Sequence, residues 1–275
     1  LLRILVRGEL DAKLAPPPAG GKEEPAGRVL RIRRPARQWP LRMSSGAVPL
    51  PAASALRNPR ARPAVLARLA HHELQAVELF AFALLRWPGA PAALRAGWAA
   101  VLADEQRHCR LYLQRLYAHG ACLAEFAPHS DYFWRFVPAL DASPAGPAAF
   151  LAAMGLTLEQ ANLDFSLLYR DAFRAAGDEA TARVCQRVHE EEQGHVALAL
   201  RWLRLLDPEG RDDVARYERA VPFPLSAARA KARRFDAGAR RRAGLSPELV
   251  EYVRRARSSQ EQRPDRSRSA CRRRS

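Results

Sequence analysis

The sequence predicts an all-α protein built on a four-helix bundle. Three observations predict it. Four long stretches carry apolar residues at three- and four-residue spacing. The breaks between those stretches run short, long, short. One pattern, a lone glutamate followed downstream by Glu-x-x-His, occurs twice on their apolar stripes: Glu73 with Glu105 and His108, then Glu159 with Glu192 and His195. The two separations, 32 and 33 positions, are nearly equal.

The chain divides into four parts. Residues 1–62 form a short helix, a linker and an arm; 63–207 form the bundle; 208–257 a helical extension; and 258–275 an Arg/Ser-rich tail expected to be disordered. Leu1, Leu2, Ile4 and Leu5 read as a helix end with Gly8 as its C-cap, and 10–14 as a further turn. The Pro- and Gly-rich stretch 15–25 is a linker. Residues 28–43 alternate in part and break at Pro35 and Pro40, which predicts an extended arm on the surface.

The first bundle helix spans 63–86. Pro63 suits a first helical position, and Trp87, Pro88 and Gly89 stop the helix. Its stripe is Leu66, Leu69, Glu73, Ala76, Phe80 and Leu84; Glu78 falls about 140° round from Glu73 and is expected in solvent or beside the stripe. The second helix, 91–118, places Trp98, Val101, Leu102, Glu105, His108, Tyr112 and Leu116 on one face. The third, 147–176, does the same with Leu156, Glu159, Leu163 and Leu167. The fourth reaches about residue 206 and carries Cys185, Val188, Glu192, His195, Ala199 and Trp202; Asp178 and Glu179 open it, where the helix dipole favours acids. About 27 residues join the second helix to the third, so the topology is two hairpins with one long crossover. Ser246 and Pro247 start a short helix in the extension.

The net charge of +16 is unevenly spread: +9 over 1–62, −4 over 63–219 and +11 over 220–275. Positive charge therefore lies outside the repeated pattern, and an anionic or nucleic-acid partner has only the flanks to recommend it. The longest apolar run, 79–85, is too short to span a bilayer, so no membrane partner is expected. The four cysteines form no close-spaced pair, which argues against a zinc knuckle or disulfide framework and fits a reducing cytoplasm.

Glutamates on apolar helix faces are prohibitive if ionised and unpaired. Two divalent cations resolve that cost, and the i, i+3 spacing puts Glu and His on one face. Carboxylate with imidazole suits Fe(II), and also Mn(II). One histidine per metal is nitrogen-poor for a zinc hydrolase, so redox chemistry with dioxygen is expected. The predicted ligands are Glu73, Glu105, His108, Glu159, Glu192 and His195. Around them, Glu191 is expected to orient a ligand, and Asn162 and Asp164 to brace a histidine. Tyr112 is expected to pack in the core or to pass electrons or a hydrogen bond. His71, His72 and His189 are expected at the surface or beside the ligands, Glu190 in solvent, and Cys109 and Cys185 as buried thiols.

The blocks Ala70–Leu79, Asp104–His108, Thr157–Phe165 and Glu191–Val196 together resemble the ferritin-like superfamily. More closely, they resemble the bacterial family catalogued as domain of unknown function 455, from about residue 13 to 255. The resemblance implies that the six residues take the ligand positions of bacterioferritin-type and tRNA-hydroxylase-type di-iron proteins. One departure is Phe80, where bacterioferritin-like proteins carry Tyr, and it argues against a storage-type centre. The expected function is a di-iron oxidoreductase, with manganese an alternative metal. It would activate dioxygen with an electron donor and oxidise an unidentified small molecule or RNA, as a monomer or dimer. The alternatives are iron storage or detoxification, which needs a multi-subunit shell, and a metal-free interaction protein with a buried ionic network.

Overall fold

A computed structural model describes residues 1–16, 27–47 and 50–257; most of the linker and the whole Arg/Ser-rich tail lie outside the described residues. Two short helices, α1 (Leu2–Val6) and α2 (Leu10–Leu14), precede the long ones. The first bundle helix is α3 (Arg62–Arg86), and after a tight turn α4 (Ala92–Ala118) packs back along it. The crossover then carries a short helix, α5 (Val137–Ala142). The third bundle strut is composite: α6 (Pro147–Phe150), a π-helical stretch Leu151–Glu159, and α7 (Gln160–Ala175). Finally α8 (Glu179–Leu205) packs against α7, against the π stretch and against α4. The chain is thus an all-α bundle of two hairpins, α3–α4 and α7–α8, joined by one long crossover.

Local chemistry sets the ends. Asp178 caps α8, accepting the Thr181 N–H at 3.0 Å. Gly177, at φ 79°, makes the left-handed turn between α7 and α8 that a side chain would strain. Gly155 serves a different need. A Cβ there would lie 2.2 Å from the Ala199 Cβ, so the π stretch and α8 meet at a distance only glycine permits.

The interior is two apolar clusters rather than one. The first, around Phe80, Trp98, Phe150 and Leu200, fills one end of the bundle. The second, around Leu66, Leu113, Phe173 and Val188, fills the other. On α3, α4 and α8 one cluster gives way to the other where Glu73, Glu105 with His108, and Glu192 with His195 lie. A polar layer therefore lies between two apolar plugs.

The N-terminal arm runs over the surface, as its broken alternation suggests, with Val29 and Trp39 exposed, and it is anchored from beneath at Pro35 and Leu41. Leu41 is 1% exposed, and the Ala36 N–H donates to the Leu5 carbonyl. A two-residue parallel ladder, β1 (Met43–Ser44) with β2 (His129–Ser130), ties the arm to the crossover. Gly8 is not a C-cap: it closes on Gln38, whose backbone nitrogen would lie 2.8 Å from an added Cβ. The arm, lying over α3, explains a second correction. Glu78, expected in solvent or beside the stripe, is fully buried. It pairs with Lys13 Nζ at 2.6 Å and Arg37 Nη2 at 2.7 Å, and accepts the Trp134 Nε1–H at 2.9 Å. A helix covered on two faces buries both.

Three short helices follow the bundle: α9 (Asp213–Ala220), α10 (Ala237–Arg242) and α11 (Pro247–Arg255). Ser246 caps α11 through the Leu249 N–H, as its sequence suggests. Asp164 pins this region. Fully buried, it takes two hydrogen bonds from Arg240, at 2.7 and 2.9 Å, and accepts the N–H groups of Ala232 and Asp236. It braces no histidine; it faces the extension. Among the described residues, no helix is long and apolar enough to cross a membrane. Arg240→Met leaves the Asp164 charge buried without its cation and should cost about 3–5 kcal/mol of stability. Equilibrium urea unfolding measures it, and a loss below about 1 kcal/mol would count against this anchor.

Candidate metal centre

All six predicted residues converge. Glu73, Glu105, His108 and Glu192 form one group, and Glu105, Glu159, Glu192 and His195 another. Within each group one candidate ligand atom per residue lies within 4.8 Å of the others. Glu105 and Glu192, one from each Glu-x-x-His, belong to both. All six side chains are buried. Either group could hold a metal ion.

Each imidazole turns Nδ1 inward and Nε2 outward. His108 Nδ1 is 3.3 Å from Glu105 Oε2, and His195 Nδ1 is 3.2 Å from Glu192 Oε2 and 3.0 Å from Glu105 Oε1. The outer nitrogens are held by a crossed pair of acids. His108 Nε2 lies 2.6 Å from Glu191 Oε2 on α8, and His195 Nε2 lies 3.2 Å from Asp104 Oδ2 on α4. Each acid immediately precedes one Glu-x-x-His and contacts the histidine of the other. Arg107 Nη2 spans the two, 2.8 Å from Asp104 and 2.9 Å from Glu191. Glu191, expected to orient a ligand, lies against the outer nitrogen of His108. Asp104, missed, occupies the same place in the first block and was legible there.

The remaining neighbours differ from expectation in detail. Asn162 Nδ2 donates to Glu192 Oε1 at 2.7 Å, so it holds a carboxylate and not a histidine. Tyr112 is core packing: its hydroxyl points to Cys185 Sγ at 3.9 Å. Cys109 and Cys185 are buried free thiols, as expected. His71 and His189 are buried, not superficial. His71 stacks on His129, with centroids 4.4 Å apart, and His189 Nδ1 meets the Leu163 carbonyl at 3.0 Å. His72 is half-buried against Phe133, and Glu190 is exposed.

The charges in this layer do not balance by themselves. Burial, then repulsion from Glu105, pushes the Glu73 carboxyl well above its ordinary range. Burial does the same to Glu159, with Glu192 and Glu105 adding repulsion against the pull of His195. Against the cost of its burial, Glu105 is held low by His108 and His195. Burial opposes a charge on His108, but Glu105 and Glu191 lift it to about 11. Both oxygens of Glu159 are buried without a hydrogen-bond partner among the described residues, and Glu105 Oε1 has only the His195 Nδ1 contact at 3.0 Å. A neutral buried network does not leave both oxygens of one carboxyl empty, since each costs about 1–3 kcal/mol. The donor set of carboxylates and imidazoles, with open oxygens on Glu159, fits divalent cations.

A cavity of about 530 Å³ opens onto this layer, with Glu73, Glu105, Glu159 and Glu192 at its floor. Leu69, Phe133, Leu158, Phe165 and Leu168 are among its walls. Its size is that of a small-molecule site.

The fold and the site together define an all-α bundle with two overlapping, buried carboxylate–imidazole groups suited to metal. The chain belongs to the family described as Protein of unknown function (DUF455), which matches residues 11–251. No curated protein and no solved structure matches the chain.

Because the histidines of the metal-free site hold protons near neutral pH, a metal must displace them. Loading Fe(II) or Mn(II) anaerobically should release protons, and affinity should rise as pH rises from about 6 to 8. Calorimetry in buffers of different ionisation enthalpy reads this directly; binding without proton release would contradict the charge assignment.

Proposed function

We propose that the protein is a ferritin-like di-iron carboxylate oxidoreductase that activates dioxygen to oxidise or hydroxylate an organic substrate. The observation that carries this reading is the pair of overlapping groups sharing Glu105 and Glu192, with both buried oxygens of Glu159 left open. Glu73 and His108 would hold one ion and Glu159 and His195 the other, with Glu105 and Glu192, common to both groups, contributing to each. Manganese in place of one or both irons suits the same donors.

Bound iron would supply the chemistry for reducing dioxygen, with two electrons from an external donor when one oxygen atom enters the substrate and the other leaves as water. The chain's own residues do the rest. Asp104 and Glu191 fix each imidazole so that Nδ1 faces inward. Asn162 orients Glu192. The two apolar plugs close the carboxylate layer toward the ends of the bundle, and the cavity admits a substrate to one side of it.

The cavity favours an organic substrate over iron storage, because a walled chamber against the carboxylates has no role in mineral deposition. Phe80, packed edge-on against Phe150 at 5.3 Å, places no hydroxyl at that position, which points the same way. The open oxygens count against a metal-free ionic network. Enclosure also favours a small molecule over an RNA.

Protein produced in iron-rich medium should carry about two irons per chain, as the four-carboxylate, two-histidine set requires. Glu105→Ala and His195→Ala should each remove most of that metal, whereas Asp104→Asn should weaken it roughly 10–100-fold while the fold is kept. Metal analysis with absorption spectra reads all three. Wild-type protein free of metal, or variants with unchanged content, would contradict the proposal.

A further inference from the structure

One charge in the cavity wall has no counterpart. Arg68, on α3, is 7% exposed. Its Nη1 donates to the Phe126 carbonyl at 3.1 Å and the Pro128 carbonyl at 3.5 Å, and lies 3.2 Å from His129 Nδ1. Its Nε and Nη2 make no hydrogen bond, and no carboxylate pairs with it, among the described residues. The acid this polar network reaches, through His129, His71 and Arg37, is Glu78, which already serves Lys13, Arg37 and Trp134. A buried guanidinium without an anion is costly, and its free Nε–Nη2 edge is the fork that matches a carboxylate.

The rest of the chamber says what that carboxylate is attached to. Apart from Arg68 and the glutamate floor the walls are mainly apolar, Leu69, Ala76, Leu158, Phe165 and Leu168 among them, with His72 and Asn162 as polar neighbours. Five residues separate Arg68 from Glu73 along α3, a rise of about 7.5 Å. A ligand spanning the two ends therefore has an anionic head and several carbons of apolar body. Arg229, exposed at the rim and stacked on Tyr132, adds positive charge at the entrance.

We propose that the cavity binds an apolar monocarboxylic acid, a medium-chain fatty acid or an acid of like shape, with its carboxylate on Arg68 and its hydrocarbon running toward Glu73 and Glu159. Its standing as the substrate rests on the di-metal reading above; its binding does not. Held this way, the acid presents a carbon of its body, not the carbon next to the head, to the carboxylate floor.

The test is calorimetric titration of the full, iron-loaded chain with octanoate, octan-1-ol and acetate. Octanoate should bind one to one. Octanol, with the same body and no charge, should bind at least tenfold more weakly, and acetate not at all. Arg68→Met should weaken octanoate at least tenfold and bring it level with octanol, with metal content unchanged. Leu168→Trp, which fills the chamber and leaves Arg68 in place, should abolish binding of both, and it decides the matter if Arg68→Met does not fold. Equal affinity for octanoate and octanol, or full octanoate affinity in either variant, would overturn the proposal. Metal-loaded protein that ignores octanoate sinks this inference alone; octanoate binding by protein that never takes up metal sinks the di-metal reading alone.

Discussion

The structure turns on the mutual repulsion of four carboxylates held in one buried layer. Glu73, Glu105, Glu159 and Glu192 come from four different struts, and among the described residues none has a Lys or Arg partner. Two imidazoles answer part of the charge. The remainder shows as raised carboxyls at Glu73 and Glu159 and as open oxygens on Glu159. Left alone, such a layer would drive the struts apart. The apolar clusters on either side hold them together, so the bundle stores an electrostatic demand that cations can satisfy.

Much of the surrounding architecture keeps that layer in register. The crossed acids, Asp104 to His195 and Glu191 to His108, couple α4 to α8 through Arg107. Close contact at Gly155 sets the π stretch against α8, and Glu159 is the last residue of that stretch. π-Helical turns cluster at functional sites because they re-aim one side chain without ending the helix. Thr157 supports the wide turn, donating to the Ala152 carbonyl at 2.7 Å, with its hydroxyl 2.8 Å from that of Tyr217 on α9. The C-terminal helices therefore bear on the geometry of the site although they contribute no residue to it.

The six convergent residues and the hairpin–crossover–hairpin order were legible in the sequence, because both follow from local signals. Helical spacing places Glu and His on one stripe, and break lengths report which helices neighbour each other. What was not legible involves contacts between distant segments. Glu78 lies off the stripe, and nothing local reveals that Lys13 and Arg37 fold over it. Asp164 resembles a residue beside the site until Arg240 arrives to claim it. Arg68 looks like any solvated helix arginine, and only the crossover carbonyls of Phe126 and Pro128 show it to be buried. The π stretch has no signal beyond Gly155, since its residues are as apolar as those of an ordinary buried helix. Asp104 is the exception: it was readable from the repeat alone, by asking what stands where Glu191 stands in the second copy.

The most direct measurement is crystal diffraction from iron-loaded protein at wavelengths on either side of the iron absorption edge. The account predicts two anomalous peaks about 3.5–4 Å apart, both inside the bundle and flanked by Glu105 and Glu192. No peak in that layer, or iron only at the surface, would contradict it.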